Sequence, residues 1–325
     1  MSALFFVHIP KTAGTSFRAA AIAAWGKRNV VRDYGPDAPE TSDVVHRYIY
    51  DGQDHWSLYE RMRATDTKLL CGHVLAKKYV PGMGVHNTIT FFRDPVQRLY
   101  SEYQHFVRHR KYKGTFRDFY SQPRIINVQL RHVRDLPLRA MGAIGITERY
   151  QESLEIVNHS YRLNFQALVK NNYRELLDCE HEISQEDLEQ IQTLHAKDLE
   201  LYQQACDLFN ERWALYERGQ PYAHVGLTTA SVQKVAGWAW WEGSGSEPVA
   251  LDIRLNGQVV AQVQAQSFWP NMCKYYPPRG SHIGFSTPIQ AKPGDSVDCV
   301  VRETGQVIPS TPLVVEDKGA EPKKR

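Results

Sequence analysis

The chain has 325 residues, 42% hydrophobic, 11% aromatic and 23% charged, with a formal net charge of +3. That length suits one medium domain plus a smaller one, and a charge so near balance lacks the basic bias of a nucleic-acid binder. The five cysteines, Cys71, Cys179, Cys206, Cys273 and Cys299, form no C-x-x-C pair, which argues against a zinc ribbon or thioredoxin motif and for free thiols in a reducing compartment.

The N-terminal MSALFFVHIPK carries an apolar run of strand length, far short of a membrane span, with neither a basic n-region nor a small-residue cleavage site. No later segment is long enough to cross a bilayer. A soluble, cytoplasmic protein is expected, with nothing preceding the fold.

Ala3 to Val7 reads as a strand, HIPKTAGTS as a turn and FRAAAIAAW as an Ala-rich helix. Residues 27 to 66 are polar and broken by Pro and Gly, with a helix around Trp56 to Arg63. Lys68 to Gly72 and Asn87 to Phe92 read as further strands, ending at His73 and at Arg93-Asp94-Pro95. Val96 to Val107 has helical spacing. Residues 115 to 180 read as mostly helical, with a break around GAIGITER. Gln185 to Arg218 reads as one long amphipathic helix or a helix pair.

Strands alternating with helices predict an α/β fold: a P-loop-like parallel sheet flanked by helices. Ligands of such sheets bind beyond the carboxyl ends of the strands, where Lys11 to Ser16, His73, and Arg93 to Ser101 all fall. After Gly219-Gln220-Pro221 the chain changes to short alternating runs. Asn256-Gly257 is a hairpin turn signal, so an all-β sandwich is expected. The predicted domains are 1–218 and 222–316, followed by a disordered charged tail, 317–325.

Two clusters suit anions. In His8 to Ser16 a strand runs through a turn into a helix, whose first N–H groups and dipole attract negative charge. Gly14 allows close backbone approach, Thr12, Thr15 and Ser16 offer hydroxyls, and Lys11 offers a point charge. The G-x-x-x-x-G-K order of a Walker A loop is absent. In Arg93 to Ser101, Arg98 and Ser101 share a helix face just after Arg93, a set suited to a phosphate dianion. Each cluster alone also reads as a capped helix with solvated charges.

Together the clusters resemble the PAPS-dependent sulfotransferases (PAPS is 3′-phosphoadenosine-5′-phosphosulfate). More closely, the chain resembles the heparan sulfate 2-O- and related carbohydrate sulfotransferases. HIPKTAGTS resembles their 5′-phosphosulfate loop and RDPVQRLYSEY their 3′-phosphate site. Cys71-Gly72-His73-Val74, GITERYQES and, more weakly, TFRDFYSQPRIINVQLRHV add to a likeness over roughly residues 1 to 215. The resemblance implies that Lys11 neutralises the departing 5′-phosphate and that backbone N–H groups from Ala13 to Ser16 hold it, with Thr12 and Gly14 in the same loop. It implies that Arg93 and Ser101 hold the 3′-phosphate and that His73 is the base. Some relatives carry a second His where this chain has Cys71. Glu102 and Glu148 are lesser base candidates, and no metal is required. Lys170 to Arg174 is a weaker candidate for contact with the adenine.

His105 to Lys113 (HFVRHRKYK), with Arg124, Arg131, His132 and Arg134, is basic and suits an anionic saccharide acceptor, while a neutral sugar or glycolipid stays open. The C-terminal aromatics, Trp238, Trp240, Trp241, Phe268, Trp269, Tyr275 and Tyr276, serve either a sandwich core or sugar stacking. The pattern there weakly resembles accessory modules beside bacterial glycan-modifying enzymes. The alternative readings are a glycan-binding protein with an inactive nucleotide domain, and a phosphoryl-transfer enzyme, which lacks Walker A and an acidic metal pair. The oligomeric state is not legible.

Overall fold

The computed structural model describes residues 3–167, 183–243 and 246–315. Lys170 to Arg174, Cys179 and the 317–325 tail lie outside them. The chain divides into two compact units, Met1–Trp213 and Ala214–Arg325.

The first unit is built on a five-stranded sheet of β1 (Leu4–Val7), β2 (Val30–Asp33), β3 (Leu69–Gly72), β4 (Thr88–Phe92) and β5 (Ala143–Ile146). Its order is β2-β3-β1-β4-β5, and every pair is parallel. Its helices are α1 (Gly14–Trp25), α2 (Asp43–Val45), α3 (His55–Ala64), α4 (Val80–Met83), α5 (Pro95–Arg110), α6 (Phe116–Tyr120), α7 (Val128–Val133), α8 (Tyr150–Tyr161) and α9 (Gln185–Leu194), with α10 (Ala196–Glu217) running past the division. The predicted α/β class and parallel sheet are those of the structure.

β1 occupies the centre of the sheet, so all four of its side chains are buried and its sequence is apolar throughout. Phe6, Phe17, Phe91, Leu154 and Phe165 join one core cluster on one face of the sheet. A second cluster gathers Leu99, Phe119, Tyr120, Ile125 and Ile191, which seats α5, α6 and α9 together.

Two strands were not expected. β2 lies within the polar 27–66 stretch and β5 in the supposed helical break, and each is only four residues long. Gly145 is needed there: a Cβ at that position would meet the Phe91 ring at 2.6 Å.

The second unit carries β6 (Ala223–Ala230), β7 (Lys234–Trp241), β8 (Ala250–Leu255), β9 (Gln258–Gln264), β10 (Ser267–Phe268), β11 (His282–Pro288), β12 (Ser296–Val301) and β13 (Val307–Val314), in two antiparallel four-stranded sheets of order β10-β11-β7-β6 and β13-β12-β8-β9. Residues of both sheets, including Val225, Val235, Phe285, Ile253, Val297 and Val301, share one core, which makes it a sandwich. β8 (Ala250–Leu255) turns into β9 (Gln258–Gln264) through Asn256 and Gly257, both with positive φ (49° and 78°), the conformation that a two-residue hairpin favours. Trp238 and Trp240 are buried and stack at 4.7 Å, whereas Phe268 and Tyr276 are exposed. Cys273 is exposed while Cys299 lies in the core with its thiol on the Ile308 carbonyl, so no bridge joins them.

Candidate functional site

The three polar segments lie at the carboxyl ends of neighbouring strands. His73 follows β3, the His8–Ala13 loop follows β1, and Arg93 follows β4. The parallel sheet therefore delivers all three to one edge.

The loop after β1 is tightly wound. Lys11 and Ala13 take left-handed φ values of 67° and 62°. Ala13 is the N-cap of α1, and no side chain caps the helix. Its carbonyl receives the first helical bond, from Phe17 N–H at 3.1 Å. The N–H groups of Gly14, Thr15 and Ser16 then point out of the helix with no acceptor among the described residues, which leaves an anion-attracting helix end. Thr15 is exposed and Ser16 half-buried. Thr12 differs from expectation: it is fully buried and its hydroxyl donates to the Ile9 carbonyl at 3.0 Å, so that hydroxyl shapes the loop and does not face an anion. Gly14 also has another task. A Cβ there would fall 2.0 Å from His8 Cδ2, so the missing side chain makes room for the His8 ring.

Arg93 is held by its backbone. Gln129, fully buried, accepts from Arg93 N–H at 3.0 Å and donates to the Arg93 carbonyl at 2.9 Å. Asp198 fixes Gln129 in turn by accepting the N–H groups of Gln129 and Leu130 at 3.1 and 2.8 Å. The Arg93 guanidinium donates to the Lys11 carbonyl at 3.4 Å, while its Nε is buried without a partner among the described residues. Helix α5 starts beside it: Asp94 caps the helix by accepting Gln97 N–H at 2.9 Å, and Pro95 takes the first turn. Ser101 lies half-buried on that helix. Arg98 does not join Arg93 in an arginine pair. It is fully buried and its Nη1 meets Glu102 Oε2 at 2.5 Å.

His73 Nδ1 lies 2.6 Å from the carbonyl of His8. A carbonyl only accepts, so Nδ1 carries the proton and Nε2 of the neutral ring is the acceptor. The ring presents an edge to solvent, yet burial by its neighbours, chiefly, and the Arg18 charge hold its pKa below the usual imidazole range; the His8 carbonyl and Glu102 oppose this. It is a neutral ring with an open basic nitrogen. The His8 ring lies against it, centroids 4.2 Å apart and tilted by 40°, and Tyr34 meets it edge-on at 4.8 Å.

The lesser base candidates are differently occupied. Glu148 accepts Asp94 N–H at 2.9 Å and the Tyr202 hydroxyl at 3.1 Å, so both of its oxygens are committed. One oxygen of Glu102 is held by Arg98.

His132 is no part of a basic face. It donates from Nδ1 to the Val128 carbonyl at 2.8 Å, and burial lowers its pKa to about 4. Arg131 closes the preceding loop by donating to the carbonyls of Pro123, Arg124 and Ile126. Exposed cations remain at the end of α5: Arg108, His109, Arg110, then Lys111 and Lys113.

Sequence reading missed Tyr34, Gln129, Asp198 and a buried cluster beside the β3 end. There Asp33 accepts from Tyr50, Tyr79 and Lys78, each at 2.6 Å. Among the described residues no group of His, Cys, Asp and Glu is placed to hold a metal. No helix among them is long and apolar enough to cross a membrane.

No family model matches the chain, and no curated protein matches it. Among solved structures, a sulfotransferase from Alicyclobacillus acidocaldarius is similar over 62% of this chain and 96% of its own, with 16% identity and a TM-score of 0.33. That likeness is too loose to assign a role to any residue.

Proposed function

We propose that this chain transfers a sulfuryl group from PAPS to a hydroxyl of a carbohydrate. One observation carries the reading. The Arg93 guanidinium reaches the Lys11 carbonyl at 3.4 Å, which joins two anion-seeking segments at one sheet edge, with the open nitrogen of His73 at the next strand end. Four unmatched groups at this edge are donors that suit such a nucleotide: the N–H groups of Gly14, Thr15 and Ser16, and Arg93 Nε. Donors alone suit a ligand with an anion at each end. Lys11 and the first turn of α1 take the 5′-phosphosulfate, while Arg93 and Ser101 take the 3′-phosphate.

The chemistry is an in-line displacement at sulfur. His73 Nε2 accepts the proton of the acceptor hydroxyl as its oxygen bonds to sulfur. The bond from sulfur to the 5′-phosphate oxygen breaks, and the departing charge falls to Lys11 and the α1 N–H groups. The products are a sulfate ester and 3′-phosphoadenosine-5′-phosphate (PAP). The exposed cations from Arg108 to Lys113 suit an anionic saccharide.

The test is incubation with PAPS and a panel of anionic and neutral saccharides, read by mass spectrometry. One added sulfuryl group on a saccharide, absent in His73→Ala, supports the reading. PAPS that stays intact with every acceptor, or transfer that survives His73→Ala, contradicts it.

A further inference from the structure

The rings of His8 and His73, 4.2 Å apart and tilted by 40°, turn their Nδ1 atoms to different partners. His73 Nδ1 is protonated because it faces a carbonyl. His8 Nδ1 lies 2.9 Å from the Tyr34 hydroxyl, and that hydroxyl already accepts from Arg18 Nη1 at 2.7 Å. A hydroxyl has one proton and a guanidinium cannot accept it. Tyr34 therefore donates to the strongest acceptor in reach, His8 Nδ1. Its other neighbour, the Cys71 sulfur, is a weak acceptor whose own proton is held by burial, with a pKa of about 12. With Tyr34 as the donor to Nδ1, the proton of the neutral His8 ring sits on Nε2.

That N–H has a defined direction. A Cβ on Gly14 would lie 2.3 Å from His8 Nε2, so the nitrogen edge rests over the first residue of α1. His8 is only 5% exposed, and no described residue accepts from Nε2. Nε2 lies on the ring edge beside three unpaired helix N–H groups, where one anion can meet all four donors.

We infer that His8 is an anion-binding residue, whose Nε2–H donates to a phosphate- or sulfate-type oxyanion at the N-terminus of α1. Burial first, with the positive charges of Arg18 and Lys11 nearby, holds the pKa of His8 well below the usual imidazole range, so it binds as a neutral donor. The pair thus divides two tasks between identical rings: His73 offers a lone pair and His8 a proton. Tyr34 and Arg18 are positioning residues that set the His8 tautomer. The inference rests on the sulfuryl-transfer reading only for naming the anion as the 5′ end of a nucleotide.

The test is nitrogen-15 NMR of the histidine side chains in the full chain, alone and with PAP or inorganic sulfate. The expected spectrum has His8 protonated on Nε2, His73 protonated on Nδ1, and a His8 Nε2 resonance that shifts when PAP binds. A His8 proton on Nδ1, or bound PAP that leaves Nε2 unmoved, overturns the inference. A shift with sulfate but no binding of PAP supports the anion site and sinks the nucleotide reading. Binding of neither ion overturns both. His8→Phe keeps a ring over Gly14 but removes the donor, and should weaken PAP binding on the order of tenfold to a hundredfold. Unchanged affinity in a folded His8→Phe variant also overturns the inference.

Discussion

The carbonyl of His8 accepts a hydrogen bond from Nδ1 of His73 at 2.6 Å. The end of β1 thereby sets the tautomer of the ring at the end of β3. Because the strands are adjacent and parallel, the proposed base and the proposed anion loop are positioned by one backbone contact. His73→Ala should lower transfer on the order of a hundredfold or more and leave PAP affinity intact, as expected for a base. Calorimetry beside turnover separates the two effects, and a parallel loss of both would reassign His73 to binding.

The pH profile follows from the same ring. A base whose pKa is lowered stays deprotonated to more acidic pH than a free imidazole. The acid limb of kcat/KM should lie below the ordinary imidazole value of about 6.5. A limb at or above that value contradicts the assignment.

Gln129 bonds both backbone groups of Arg93, standing in for a strand neighbour. Gln129→Ala leaves a donor and an acceptor unpaired and should cost about 2 kcal/mol of stability. It should also weaken PAP binding more than AMP binding, because the misplaced group is the one assigned to the 3′-phosphate. Equal weakening of both would show that Gln129 acts only on the fold.

His195 links stability to pH. It is fully buried, lies within donor distance of the Tyr120 carbonyl through Nε2 (3.1 Å), and burial lowers its pKa to about 4. The unfolded chain binds a proton there near pH 6.5 and the folded chain only near pH 4. Stability from this group is therefore complete above about pH 6.5 and falls as pH drops toward 4, by about 1.4 kcal/mol per pH unit. His195→Gln keeps an amide in place but cannot titrate. Comparing urea unfolding of the two proteins from pH 6.5 to 5 cancels the other groups, and parallel slopes would refute the linkage.

The site was legible where it depends on strand ends and less so where it depends on partners. HIPKTAGTS and RDPVQRLYS each mark a strand giving way to a helix, so Lys11 and Arg93 could be placed at one edge from sequence. Arg98 shares its spacing with Arg93 but turns into the core toward Glu102, which only packing decides. Tyr34 and Gln129 act across 26 and 36 residues of chain, and no local pattern signals such contacts. β2 and β5 were missed because each is only four residues long, and pairing with β3 and β4 is what holds VVRD and AIGI in the sheet.

The central claim is that Arg93, with the loop after β1, selects a nucleotide carrying a 3′-phosphate. Calorimetric titration with PAP and with AMP, on the natural protein and on Arg93→Ala, tests it most directly. PAP should bind far more tightly than AMP, and Arg93→Ala should remove most of the difference. Equal affinity for the two nucleotides, or a preference that survives Arg93→Ala, would contradict it.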